Sequence, residues 1–313
     1  MRFFKKAKKT ESWLSFAMLA DGIAAASISR IPGSRPAVDT CVFYAGHPGA
    51  DLLEKAGREL GAASYHCTTI LSGGEYQMLA VEAPNVPVEE LKTAVRWRLK
   101  DMLDFHVDDA TIDVLDIPVD KNAAVRTSHG MFAVAARNSV IETRQGMFAA
   151  AKVGLSVIDI PEMAQRNISG LMEPEGRGLA MLSFGADGGL LTVTFNGELY
   201  LSRRIDVTLE QLLDADHDRK HASFDKITLE LQRSLDHFDR QFHFISVSRL
   251  LLAPSGVTGL EEYLSSNLYT PVQTMDLGEA LDISRIPELL DKAVQQRFFF
   301  TIGAALRHEE TQL

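Results

Sequence analysis

Leu179–Asp206 reads LAMLSFGADGGLLTVTFNGELYLSRRID. An apolar run enters the Gly-rich turn FGADGG, a second apolar run leaves it, and FNGEL turns the chain again. This is the pattern of paired strands joined by tight turns, and Gly-rich turns of this kind can wrap backbone N–H groups around a phosphate. An acid able to hold a metal beside that phosphate is expected at the end of the first strand, yet Ser183 and Phe184 stand there. The stretch is therefore either a nucleotide pocket or a fold that has lost one.

A chain of 313 residues exceeds the usual size of a single core and predicts two domains or one bilobed body. Its 46% apolar and 24% charged content are those of an ordinary globular protein. A net charge of −10 argues against a nucleic-acid binder, which needs a dense Lys/Arg footprint. The exception is the N-terminus, MRFFKKAKK, where Arg2, Lys5, Lys6, Lys8 and Lys9 surround Phe3 and Phe4. It reads as a solvated terminus or a weak anchor for anionic lipid. No apolar run approaches the roughly 20 residues of a membrane span, and no signal-peptide core follows the basic tip, so a cytoplasmic chain is expected. Cys41 and Cys67 stand at no metal-ligand spacing and predict reduced, buried thiols.

Along the chain, WLSFAML and GIAAASISR read as a hairpin, TCVFYAGHPG as a third strand, and ADLLEKAGRELG as a helix ended by Gly61. Two strands flank Gly73 and Gly74. VPVEELKTAVRWRLKDML is a helix with Leu91, Val95 and Leu99 on one face. Two more strands and a helix capped by Ser139 and closed by Gly154 complete a small β/α insertion. SVIDIPEMAQRNISGLM then returns to strand and helix, and the opening stretch begins a second half. DADHDRKH reads as a solvated loop, ahead of the long helix FDKITLELQRSLDHFDRQF. VSRLLLAPSG, GLEEYLSSNL and PVQTMDL follow as strand, helix and strand, and AVQQRFFFTIGAALRHEE closes the chain as an apolar helix. Hairpins followed by helices, twice over, predict an α/β body in two halves facing a cleft.

The order of these pieces resembles the actin-like pilus assembly proteins. It is carried by AVRWRLKDMLDFHVDD, LSVIDIPEMAQRN, LTVTFNGELYLSRRID, RSLDHFDRQF, LLLAPSGVTGLEEYLSSNLYTPVQTMD and GAALR. PilM of type IV pili is the best-known member, and MshI of the mannose-sensitive haemagglutinin (MSHA) pilus system is the nearest type. The resemblance implies an actin-like (ribonuclease H-like) two-domain fold with a small insertion in the first domain. On that basis the first domain is 12–178 with the insertion about 86–156, the second is 179–296, and 297–313 is a helix packing back on the first. It also implies ATP and Mg²⁺ between the domains. The implied job is a cytoplasmic scaffold, peripheral to the inner membrane, that grips the short N-terminal tail of a PilN-like inner-membrane protein. The cytoplasmic part of the type II secretion protein GspL is a near neighbour, but a transmembrane helix is expected to follow there, and this chain ends at Leu313.

A working site in this family needs an acid on each of two strand turns, to hold Mg²⁺ through its waters, and a Gly-rich loop that admits adenosine closely. In the first hairpin the best register puts Ala17 at the acid and Leu19 at the glycine, with Asp21 and Gly22 displaced into the turn. In the second, Ser183 replaces the acid, Gly185 is retained, Gly189 replaces a hydroxyl residue beside Gly188, and Asp187 is the nearby acid. In the adenosine loop Ala253 and Pro254 replace paired glycines, while Gly256, Gly259 and Leu260 survive. Glu230 and Arg233 loosely match residues that relatives place near ribose or base, and equally fit a solvated i, i+3 pair. Three departures in one pocket predict a degenerate cleft: no catalytic residue, no resident metal and no required cofactor. The alternative is a slow actin-like ATPase in which Asp21 and Asp187 supply the metal shell.

Two further groups stand out. Arg96, Trp97 and Phe105 in the insertion are candidate anchors for the partner's tail, which the family receives in a groove between the insertion and the first sheet, although Trp97 equally fits a core position. His217 and His221 have metal-ligand spacing only if their segment is helical.

Overall fold

The computed structural model describes residues 12–119 and 129–308; the basic N-terminal stretch lies outside them. The chain divides into two compact units, one of 1–70 with 148–313 and one of 71–147.

The larger unit opens with β1 (Trp13–Leu19), β2 (Gly22–Ser29), β3 (Ala37–Ala45), α1 (Ala50–Glu59) and β4 (His66–Ile70). The smaller unit holds β5 (Tyr76–Glu82), α2 (Val88–Leu99), β6 (Ala110–Asp116) and β7 (Gly130–Arg137), and α3 (Asn138–Ala150) leads out of it. The chain then runs through β8 (Leu155–Asp159), α4 (Pro161–Ser169), β9 (Gly178–Gly185), β10 (Gly188–Phe195), β11 (Glu198–Ile205), α5 (Leu209–Leu212) and α6 (His217–Gln241). It ends with β12 (Val247–Leu252), α7 (Leu260–Asn267), β13 (Val272–Thr274), α8 (Leu277–Ala280) and α9 (Lys292–Ala305).

Two five-stranded sheets carry one wiring. The first has the order β3-β2-β1-β4-β8 and the second β11-β10-β9-β12-β13. In each, three antiparallel strands are followed by two parallel ones. Parallel neighbours require crossovers: α1 precedes β4 and α6 precedes β12, while α3 and α7 precede the edge strands β8 and β13, so the fold is built twice. Between the sheets lies one continuous core: Ala24 and Ile28 of β2, Leu179 and Met181 of β9, and Leu251 of β12 pack with Ala164 and Ile168 of α4 and Phe298, Phe299 and Ile302 of α9.

The smaller unit is an antiparallel sheet of order β5-β7-β6. Its core joins Val95 and Leu99 of α2 to Val107 and to Met131, Ala133 and Ala135 of β7. It begins at Leu71 rather than near residue 86, because β5 pairs along its length with β7. Two other local expectations are corrected. Ser139 lies inside α3, which already starts at Asn138. DADHDRKH is not a loop: Asp216 caps α6 by accepting from the N–H groups of Asp218 and Arg219, so the helix begins at His217. A side chain that satisfies two orphan N–H groups is enough to start a helix in a polar segment.

Candidate functional site

Ala17, at the first acid position, is a buried strand residue in the shared core. Asp21 lies in the exposed turn, where its Oδ2 is 3.5 Å from Nη2 of Arg297 on α9. The same guanidinium lies 4.4 Å from the centroid of the Phe43 ring. Gly22 pairs with Leu19 on one side and Ala45 on the other. A Cβ there would stand 2.2 Å from the Tyr44 carbonyl oxygen and 2.7 Å from the Phe43 ring. Close approach of β3 thus accounts for this glycine.

The second corner is polar and closed. Ser183 is buried and donates its hydroxyl to Oε1 of Gln165 at 2.6 Å. Gln165, on α4, has no solvent exposure. Its Nε2 donates to the carbonyls of Met181 (2.9 Å) and Leu190 (3.2 Å) and to the Thr192 hydroxyl (2.9 Å). One amide therefore ties α4 to β9 and β10. Asp187 lies in the exposed turn between those strands. Gly185 faces open space, but a Cβ on Gly188 would stand 2.7 Å from the Ile205 carbonyl oxygen, and φ there is +104°. On Gly189 it would stand 2.8 Å from the Phe184 ring. These two glycines serve the approach of β11 and the seating of a ring.

In the third corner the Ala253 N–H donates to the Leu182 carbonyl at 2.8 Å, and Pro254 is buried behind it. Gly256 and Gly259 have φ of +70° and +85° with open space beyond, and Gly259 immediately precedes α7. Glu230 and Arg233 pair with each other on α6 at 3.3 Å, on a partly exposed face.

In the smaller unit the three candidate anchors separate. Arg96 turns inward and donates to the carbonyls of Val107 (2.5 Å) and Ala110 (2.9 Å). Phe105 packs on the unit's core, with the Arg137 guanidinium carbon 4.4 Å from its ring centroid. Trp97 points out with 72% of its surface exposed, so the core reading of it is corrected. His217 and His221 do lie one turn apart on α6, their ring centroids 4.3 Å apart. Among the described residues, however, no group of three or more His, Cys, Asp or Glu could hold a metal. Cys41 and Cys67 are free thiols, Cys67 buried and Cys41 partly so, and burial pushes the Cys41 thiol up to about 12.

Residues invisible to sequence reading complete the picture. Gln165, Gln296 and Arg297 are ordinary polar residues on amphipathic helices, and no spacing marks them. Gln296 donates to the Phe184 carbonyl at 3.4 Å while its neighbour Arg297 meets Asp21, so adjacent residues of α9 touch both hairpins.

No family model and no curated protein matches the chain. Among solved structures, a PilM–PilN type IV pilus biogenesis complex matches with a TM-score of 0.74 and 19% identity, over 95% of this chain and 98% of that one. The fold is actin-like. It is a two-domain ribonuclease H-like α/β fold, with a small β/α unit inserted in the first domain. Weaker matches are a Bacteroides thetaiotaomicron protein with an actin-like ATPase fold (TM-score 0.48, 13% identity, 93% of this chain and 99% of that one) and the cytoplasmic domain of EpsL, an inner-membrane component of the Vibrio cholerae type II secretion system (TM-score 0.43, 13% identity, 65% and 76%). No helix among the described residues is long and apolar enough to cross a membrane.

Proposed function

We propose that this chain is a cytoplasmic scaffold of a type IV pilus assembly machine of the MSHA type, peripheral to the inner membrane, which holds the N-terminal tail of a PilN-like inner-membrane protein. The observation that carries the reading is the end-to-end likeness of fold to a chain solved in a PilM–PilN complex. The exposed Trp97 adds to it, because a large aromatic left in water is a favoured anchor for a partner. The scaffold works without ATPase chemistry. The acid positions hold Ala17, in an apolar core, and Ser183, whose hydroxyl is spent on Gln165. The residues present do not fit a metal–nucleotide group: neither strand offers a carboxylate, and Gly22, Gly188 and Gly189 at the turns beside them are required by packing.

Two measurements test this. A labelled peptide carrying the cytoplasmic tail of a PilN-like protein should bind the full chain in fluorescence anisotropy, and Trp97→Ala should weaken it at least tenfold; a tail that does not bind sinks the scaffold reading. Thermal unfolding with millimolar Mg-ATP should leave the midpoint in place. A ligand at 100 times its dissociation constant would add about 2.7 kcal/mol, so a clear rise would restore the alternative of an ATP-binding protein.

A further inference from the structure

Two-domain folds of this wiring can close about a hinge only if the elements joining the halves can slide or bend. Here the two joining helices are fastened on every side. α4 is bound to the second sheet by the Gln165 amide and by Glu162, which is buried and 2.9 Å from Arg204 of β11. Arg166 of α4 lies 3.5 Å from Glu198 at the start of β11.

On its other side α4 meets α9 backbone to backbone. A Cβ on Gly303 would stand 2.3 Å from the Ala164 carbonyl oxygen, and Asn167 donates to the Gly303 carbonyl at 2.9 Å. α9 is in turn fixed to the first sheet. Arg30 donates to the Leu306 carbonyl at 2.6 Å, and Arg307, just past the helix, reaches the buried Asp159 carboxylate at the end of β8 at 3.2 Å. At its other end α9 touches both hairpins through Gln296 and Arg297. The apolar core passes without a break from one sheet to the other through these two helices. Shear needs a smooth, disengageable interface, whereas this one is keyed by a glycine notch and by the Asn167–Gly303 hydrogen bond, and the buried Gln165 bonds hold α4 to the second sheet.

We propose that α4 and α9 form a fixed strut that locks the two halves in a single arrangement, so that neither nucleotide nor partner drives closure and any partner surface is presented constitutively. The strut stands on its own contacts and does not depend on the identity of the partner.

The test places nitroxide labels at Ala20→Cys and Ala186→Cys, in the exposed turns of the two hairpins, in the full chain with Cys41→Ser. Pulsed electron spin resonance should give one narrow distance distribution, unchanged by millimolar Mg-ATP. Gly303→Ala should broaden it at least twofold. Should that variant fail to fold, Asn167→Ala combined with Gln165→Leu should do the same. A wild-type distribution that is bimodal, or that shifts with Mg-ATP, overturns the lock, and strut variants as narrow as the wild type overturn the role of α4 and α9. The labels report without any tail peptide, so a failure of peptide binding and a failure of the lock are separate outcomes.

Discussion

The first hairpin and the second have the same wiring but fill the strand positions of Ala17 and Ser183 differently. In the first half the position is filled by Ala17, which joins the shared apolar core, and Asp21 is left outside in the turn. In the second half the position is filled by Ser183, and a buried polar hub grows around it from Gln165 and Thr192. The comparison teaches that glycines can survive for reasons unrelated to phosphate. Gly22 and Gly188 are both held by a neighbouring strand's carbonyl.

The largest effect should come from those glycines. Gly22→Ala and Gly188→Ala each drive a methyl into a backbone oxygen, and should cost about 3 kcal/mol or more in urea unfolding. Gly185→Ala, which faces open space, should lie within about 1 kcal/mol of the wild type. Equal, small losses at all three would break the packing account and return the glycines to a ligand.

Next comes the polar hub, which the first half lacks. Gln165→Leu leaves the buried hydroxyls of Ser183 and Thr192 without their Gln165 partner, and each buried orphan costs about 1–3 kcal/mol. A loss of about 2–4 kcal/mol is expected, whereas Ala17→Ser, in the corresponding place, should cost only about 1 kcal/mol. Equal losses at the two positions would erase the contrast between the halves.

The halves should also differ in the sign of a pH response. Burial pushes the Asp159 carboxyl of the first half above the ordinary carboxylate range, against the pull of Arg307. The native state therefore holds that proton more readily than the unfolded chain, and this group's contribution improves as pH falls through its folded pKa. In the second half the hydrogen bond from Lys226 holds Asp206 below the ordinary range. Its contribution is present above the unfolded pKa and is lost as pH falls through the folded one. Unfolding should thus show the wild type gaining on Asp159→Asn as pH drops from about 7 to about 4, and losing ground to Asp206→Asn only below about pH 4, once the unfolded carboxylate pKa is passed. The same direction in both variants would refute the assignment of the shifts.

The smallest effect belongs to the inserted unit. Trp97→Ala should change stability by less than about 0.5 kcal/mol, because the ring lies in water, while Arg96→Ala, which removes two bonds to buried-loop carbonyls, should cost about 1–2 kcal/mol. A Trp97 variant as damaged as the Arg96 one would mean that the ring packs after all.

Alternating apolar runs, tight turns and the period of Leu91, Val95 and Leu99 were enough to give nearly every strand and helix, because these signals are local. The start of α6 escaped because a cap is worth a single side chain, and DADHDRKH has the composition of a loop. The end of the insertion nearer the N-terminus escaped because strand pairing is not local: only the partner β7 shows that β5 belongs to the smaller sheet.

The sequence by itself determined the α/β class, the doubled order of elements and the absence of carboxylates from the strand positions of Ala17 and Ser183. Only the tertiary structure decided what took their place. Whether a glycine admits a ligand or a neighbouring strand, whether Trp97 is core or surface, and whether Gln165 is a solvated helix residue or the hub of two strands depend on what approaches from elsewhere in the chain. One-dimensional pattern carries period and turn chemistry, but the contacts that give a residue its role join positions far apart in sequence, as Arg307 is joined to Asp159 and Gly303 to Ala164.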